Sequence, residues 1–276
     1  MFQPRQTPII DQSTADLLSL RGKVCVVTGG SSGIGLEIVR AFASMGGDVM
    51  IVYNSTPVAN VVEELKQSYP DIRVDSFQCN LNQVDQIKRM LDDIIDRYEK
   101  IDVMVANAGI SWTKGGVNEF RSDKELVDNW EEFIKIDLSS VYYCSAYVGK
   151  IFEKQEFGSL ILTSSMSGSV INIPQLQTPY NVAKAGIKQL AKSLAVEWAS
   201  IGDGRIRVNS VSPGYVSTKL TSNMNPELLT KWKALTPLGR LGTPRELTGA
   251  YVYLSSEASS YTTGTDIMVD GGYSAV

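Results

Sequence analysis

Apolar residues alternate along the chain between short runs rich in β-branched side chains and longer stretches with helical spacing. The first run, residues 23–28 (KVCVVT), is followed at once by glycines and predicts a buried strand feeding a tight turn. Residues 34–45 (IGLEIVRAFASM) have the spacing of a helix and end at Gly46-Gly47, a helix-stop signal. Further strands are predicted at 49–53, 73–79, 101–106, 159–163, 207–212 and 267–269, and further helices at 57–68, 83–98, 130–152, 180–199 and 245–254. Seven strands alternating with helices predict an α/β fold with a mainly parallel sheet covered on both faces.

Two segments fall outside this alternation. Residues 1–19 form a polar leader, and residues 213–244, with Pro226 and Pro237, are too long for a simple connection. The second segment predicts a substrate loop, with 224–235 as a candidate lid. No repeat or low-complexity linker divides 20–276, so one domain is expected there.

Composition narrows the function. With 43% hydrophobic and 20% charged residues, the 276-residue chain can bury a core and does not read as disordered. The 26 Lys+Arg balance 30 Asp+Glu without long runs of either sign, so neither nucleic acid nor a membrane surface is an expected partner. No stretch has the length of a signal peptide or a membrane span. Cys25, Cys79 and Cys144 are odd in number and far apart, which points to a reducing, cytoplasmic setting rather than a disulfide framework. There is no histidine, which excludes His-based acid/base chemistry and imidazole metal sites; no metal is expected.

The candidate chemistry begins at 28–35 (TGGSSGIG), between the first strand and first helix. Gly29, Gly33 and Gly35 permit a tight turn, so that backbone N–H groups near Ser31, Ser32 and Ile34 can approach a pyrophosphate at the positive end of the helix. After the second strand stand Asn54, Ser55 and Thr56, with no carboxylate to repel a 2′-phosphate. Ser55 or Thr56 before Pro57 also reads as a helix cap, either an ordinary one or one able to receive an anion. The pattern favours NADP over NAD. Tyr180 and Lys184, four apart, share one helix face, and an ammonium beside a phenol favours the phenolate that a tyrosine acid/base must form. Ser164, Ser165 and Ser167 compete at a strand end for the task of binding a carbonyl oxygen.

Together these residues resemble the short-chain dehydrogenase/reductase family from about residue 20 to 273. The turn at 28–35, Asn107-Ala108-Gly109, 180–184 (YNVAK), 207–214 (RVNSVSPG) and 270–272 (DGG) fit its motifs. The stretches 163–168 (TSSMSG), 173–177 (IPQLQ), 191–198 (AKSLAVEW) and 212–216 (SPGYV) more narrowly resemble fungal NADPH-dependent ketose and carbonyl reductases, including mannitol 2-dehydrogenases, sorbose reductases and stereoselective ketone reductases. The resemblance implies a single doubly wound Rossmann domain, a homotetramer, and NADPH-dependent reduction of a small-molecule ketone or ketose. It implies Tyr180 as acid/base, Lys184 on the nicotinamide ribose and Ser165 on the carbonyl. Ser167 has the commoner family spacing of 13 residues before the tyrosine, and the choice of Ser165 assumes a two-residue insertion. Asp137 stands at the fourth catalytic position, where the family has Asn, and Asn80 where Asp commonly contacts adenine. Leu81, Pro213, Gly214, Val216 and Thr218 complete the implied cofactor contacts. Trp112, Tyr215 and Trp232 are either pocket walls or packing. The alternatives are an NAD-linked polyol dehydrogenase and a non-catalytic nucleotide-binding regulator.

Overall fold

In a computed structural model describing residues 5, 7, 9–218, 221 and 224–276, all seven expected strands form. They are β1 (Val24–Thr28), β2 (Asp48–Tyr53), β3 (Val74–Gln78), β4 (Val103–Ala106), β5 (Gly158–Thr163), β6 (Ile206–Pro213) and β7 (Asp266–Val269). All pairings are parallel, in the order β3-β2-β1-β4-β5-β6-β7. The chain builds outward from β1 to β3, then returns past β1 to build the other half. Its winding reverses between β1 and β4, where a crevice opens at the carboxyl ends of the strands.

Described helices are α1 (Thr14–Leu17), α2 (Gly33–Ser44), α3 (Ala59–Ser68), α4 (Val84–Tyr98), α5 (Asp123–Ile134), α6 (Ser140–Gln155), α7 (Thr178–Glu197), α8 (Pro226–Leu235) and α9 (Pro244–Ser255). The two-residue strand period explains why β1 is apolar throughout. Val24 and Val26 belong to a core with Ile94 of α4, Phe152 of α6 and Ile187 of α7. Cys25 and Val27 belong to the opposite core, with Phe42 of α2, Leu65 of α3 and Tyr251 of α9.

Several boundaries depart from the sequence expectation. Neither Ser55 nor Thr56 caps α3; the helix starts at Ala59, with Val58 in the cap position and no side-chain cap bond. Val58 is buried in the core, and that packing sets the start instead of the Ser-Thr-Pro signal. The helical region expected at 130–152 begins at Asp123. There Ser122 Oγ accepts the Glu125 N–H, and the Glu125 carboxylate accepts the Arg121 N–H. The same region is interrupted at Lys135–Ser139 by a π-helical turn that carries the fully buried Asp137. Residues 213–244 are not wholly irregular: Asn225 caps α8, with Pro226 in the first turn. The polar leader contains α1, while its residues 1–4, 6 and 8, like 219, 220, 222 and 223 of the loop, lie outside the described residues.

Candidate active site

The turn after β1 is held open by glycine and locked to its neighbour strand. Gly29 and Gly33 have φ of 64° and 55°, in the left-handed region that glycine occupies without strain. A Cβ on Gly35 would lie 2.2 Å from the Gly29 carbonyl oxygen and 2.6 Å from Asn107 Nδ2. Thr28 Oγ1 accepts the N–H groups of Asn107 and Ala108 at 2.9 and 3.1 Å, and Asn107 Nδ2 donates to the Thr28 carbonyl at 3.1 Å. These bonds fix β4's exit against the glycine turn. Ser32 is the N-cap of α2 but makes no side-chain cap bond, leaving the first-turn N–H groups for an anion. Thr218 faces Gly33 across the turn, 3.6 Å from where a Cβ would stand. A glycine cradle with unclaimed helix N–H groups fits a dinucleotide pyrophosphate.

One cleft of about 560 Å³ runs from this cradle to Tyr180. Its walls include Gly29, Ser31, Ser32, Ile34 and Gly35 from the turn; Asn54, Ser55 and Thr56 after β2; and Asn80 and Leu81 after β3. Asn107, Ala108, Gly109, Ser165, Ser167, Tyr180, Lys184, Pro213, Gly214, Val216 and Thr218 complete the set singled out by sequence. Asn80 Oδ1 accepts the Asn82 N–H at 3.0 Å, leaving its amide nitrogen for a ligand.

Asp137 does not line the cleft. It lies behind Lys184, where Oδ1 accepts the Ile110 N–H at 2.6 Å and Oδ2 sits 3.0 Å from the Lys184 ammonium. Oδ2 has no aligned hydrogen-bond donor among the described residues, so this contact is one of charge to charge. The ammonium is also 3.5 Å from the Thr163 carbonyl and 5.5 Å from the centre of the Tyr180 ring. Burial alone would depress Lys184, but the Asp137 carboxylate, with a smaller contribution from Tyr180, holds it above the ordinary lysine range. Lys184 is therefore a charged, anchored group at neutral pH.

Trp112, Tyr215 and Trp232 both line the cleft and pack. Trp112 donates to the Gly115 carbonyl at 2.8 Å and meets Phe133 edge-on, and Phe133 in turn meets Tyr180 edge-on. Tyr215 stacks on Trp232 of α8 at 4.0 Å, which seats α8 over the cleft. Sequence reading did not assign roles to Asn172, Gln175 and Gln177, amides that also line the wall. They lie in an irregular loop, where no period marks an inward side chain.

Substituting Ala at Gly35 is expected to raise the dissociation constant of a dinucleotide by about tenfold or more, because the new methyl forces the cradle open. Fluorescence titration checks this, and unaltered affinity would mean the cradle is not the binding surface.

Comparison with known proteins places this geometry. The family described as enoyl-(acyl carrier protein) reductase, a branch of the short-chain dehydrogenase/reductases, matches residues 29–274. A sorbose reductase of Candida albicans is 48% identical over 270 residues, covering 98% of this chain and 93% of the relative. A probable NADP-dependent mannitol dehydrogenase of Yarrowia lipolytica is 44% identical over 270 residues, with 98% and 94% covered. Among solved structures, the NADPH-dependent 3-quinuclidinone reductase from Rhodotorula rubra aligns with a TM-score of 0.91 and 33% identity, covering 99% of both chains. Described residues include no helix long and apolar enough to cross a membrane. With similarity running almost end to end and the family match spanning residues 29–274, the chain belongs to the short-chain dehydrogenase/reductase family.

Proposed function

We propose that the protein reduces the carbonyl of a ketone or ketose to a secondary alcohol, reversibly, with NADPH supplying the hydride when bound. The observation that carries this is one cleft joining the glycine cradle to Tyr180, Lys184 and Ser165. Tyr180 donates its phenolic proton to the carbonyl oxygen, and Ser165 Oγ donates a hydrogen bond to the same oxygen as charge develops there. The Lys184 ammonium, 5.5 Å from the centre of the Tyr180 ring, puts a positive charge beside the site of proton transfer and binds the nicotinamide ribose with the N–H directed away from Asp137 and Thr163. Asp137 acts through Lys184 and is a positioning residue. Helix α8 covers the substrate end, within a single binding and catalytic domain over 20–276.

Support for the substrate and cofactor comes from the sorbose reductase and the NADP-dependent mannitol dehydrogenases among the relatives. The family resemblance adds a homotetramer, and the three unpaired cysteines Cys25, Cys79 and Cys144 favour a reducing, cytoplasmic setting. Against an NAD-linked enzyme stands the segment Tyr53-Asn54-Ser55-Thr56, which ends β2 without a carboxylate. Ser55 and Thr56 are exposed and do not cap α3, so their hydroxyls are free to meet a 2′-phosphate. Substituting both Ser55 and Thr56 with Asp is expected to raise the KM for NADPH relative to NADH by about tenfold or more, since two carboxylates would face the phosphate. An unchanged ratio in steady-state kinetics would place the phosphate elsewhere. Ketone-dependent NADPH oxidation by the purified protein tests the activity itself.

A further inference from the structure

Beside Tyr180, one wall of the cleft carries a continuous chain of side-chain hydrogen bonds. Ser165 Oγ donates to Ser167 Oγ at 3.1 Å and accepts the Ser167 N–H at 3.1 Å. Gln177 Nε2 reaches Ser167 Oγ at 3.3 Å, Asn172 Oδ1 at 3.0 Å and Asn181 Oδ1 at 3.1 Å. Asn172 is fixed in turn by donating to Tyr215 Oη at 3.1 Å, and Tyr215 donates to Gln175 Oε1 at 2.7 Å. Ser167 and Asn172 are 4% and 1% exposed, so the chain is part of the wall's interior rather than a solvated fringe.

Ser167 has a particular hydrogen-bond balance. A hydroxyl has two acceptor positions and one proton. The Ser167 oxygen already receives Ser165 and Gln177, while its proton meets no acceptor among the described residues. A buried hydroxyl with an unplaced proton is costly unless a ligand atom accepts it. That ligand atom must lie next to whatever Ser165 binds, because the two serine oxygens are 3.1 Å apart. In a ketone bearing a hydroxyl on the adjacent carbon, ordinary bond lengths put the carbonyl and hydroxyl oxygens about 2.8 Å apart when they lie on the same side. The serine pair matches that spacing.

We propose that Ser165 and Ser167 form a two-point grip for an α-hydroxy ketone. Ser165 takes the carbonyl oxygen, and Ser167, held by Gln177, takes the hydroxyl on the neighbouring carbon. This rests on the assignment of Ser165 to the carbonyl. When Ser165 turns its proton to the substrate, one acceptor position on Ser167 is released. Ser167 then donates its proton to the oxygen of the substrate hydroxyl, as Gln177 keeps it in place. A ketone without that hydroxyl leaves the Ser167 proton unmatched at a position only 4% exposed. Ser167 and Gln177 thereby select for the α-hydroxy ketone group itself, whatever the remainder of the substrate.

The test compares hydroxyacetone with 2-butanone, in which a methyl group replaces the hydroxyl at nearly equal size. With NADPH, kcat/KM is measured for both in the wild type, Ser167→Ala and Gln177→Leu. Intrinsic reactivity differs between the two ketones, but it cancels when their ratio is compared across variants. Ser167→Ala is expected to lower the preference for hydroxyacetone by about tenfold or more, with the larger loss falling on hydroxyacetone. Gln177→Leu should move the ratio the same way by a smaller factor. NADPH affinity, read by fluorescence titration, should stay within about threefold of wild type in both variants, since neither residue lies in the cradle. An unchanged ratio, or equal losses on both ketones, overturns the grip while leaving NADPH-dependent ketone reduction standing. Absence of NADPH-dependent turnover of either ketone by the wild type overturns the underlying reading and the grip with it.

Discussion

Tyr180→Phe is expected to lower ketone turnover by about 10²- to 10⁴-fold, the usual worth of a positioned general acid, while NADPH affinity stays close to wild type. The ring is held from two sides, with Phe133 edge-on to it and the Lys184 ammonium 5.5 Å from its centre. Phenylalanine keeps the apolar contacts and loses only the hydroxyl. With no histidine in the chain, no imidazole can take over the proton transfer. The Ser165 hydroxyl is a far weaker acid than a phenol and cannot substitute for it. Steady-state turnover combined with fluorescence titration of NADPH separates chemistry from binding. Turnover within about tenfold of wild type would remove Tyr180 from the role of proton donor.

Lys184→Met is expected to damage both stability and turnover, for different physical reasons. The side chains of Lys184 and Asp137 are only 6% and 0% exposed, and the ammonium is the only opposite charge beside that carboxylate among the described ion pairs. Removing the ammonium leaves a buried charge supported by the Ile110 N–H alone, which costs roughly 3–5 kcal/mol. Adding Asp137→Asn to the same chain removes the stranded charge. It should restore much of the lost stability in urea unfolding, but not the turnover, because the ammonium beside Tyr180 is still missing. Since Asp137 holds Lys184 above the usual lysine range, the stabilising pair persists at neutral pH. On the alkaline side it is lost as the lysine proton is removed above the usual lysine range. Equal unfolding midpoints for wild type and Lys184→Met would contradict the buried pair.

What could be read from sequence follows from the range of the interactions involved. The strands were legible because β1, β4 and β5 are buried on both faces, so each reads as an unbroken apolar run. The glycine turn was legible because its function depends on backbone conformation, which Gly29, Gly33 and Gly35 report locally. The start of α5 was written in Ser122 and Glu125, a capping pattern available to sequence reading. By contrast, Ser55, Thr56 and Pro57 form a sound local cap signal that the core burial of Val58 overrides. The Lys184–Asp137 contact joins residues far apart in sequence, and the π turn that carries Asp137 has no sequence period to reveal it. Gln177 illustrates the same limit, since nothing local distinguishes a loop amide that bonds Ser167 and Asn172 from one in solvent.

The most direct test of the central claim is NADPH oxidation by the purified protein with sorbose and fructose, run in parallel with NADH. Ketose-dependent oxidation with a clear preference for NADPH, abolished by Tyr180→Phe, is the expected result. Tight NADPH binding without turnover of any ketone or ketose, or a preference for NADH, would contradict it.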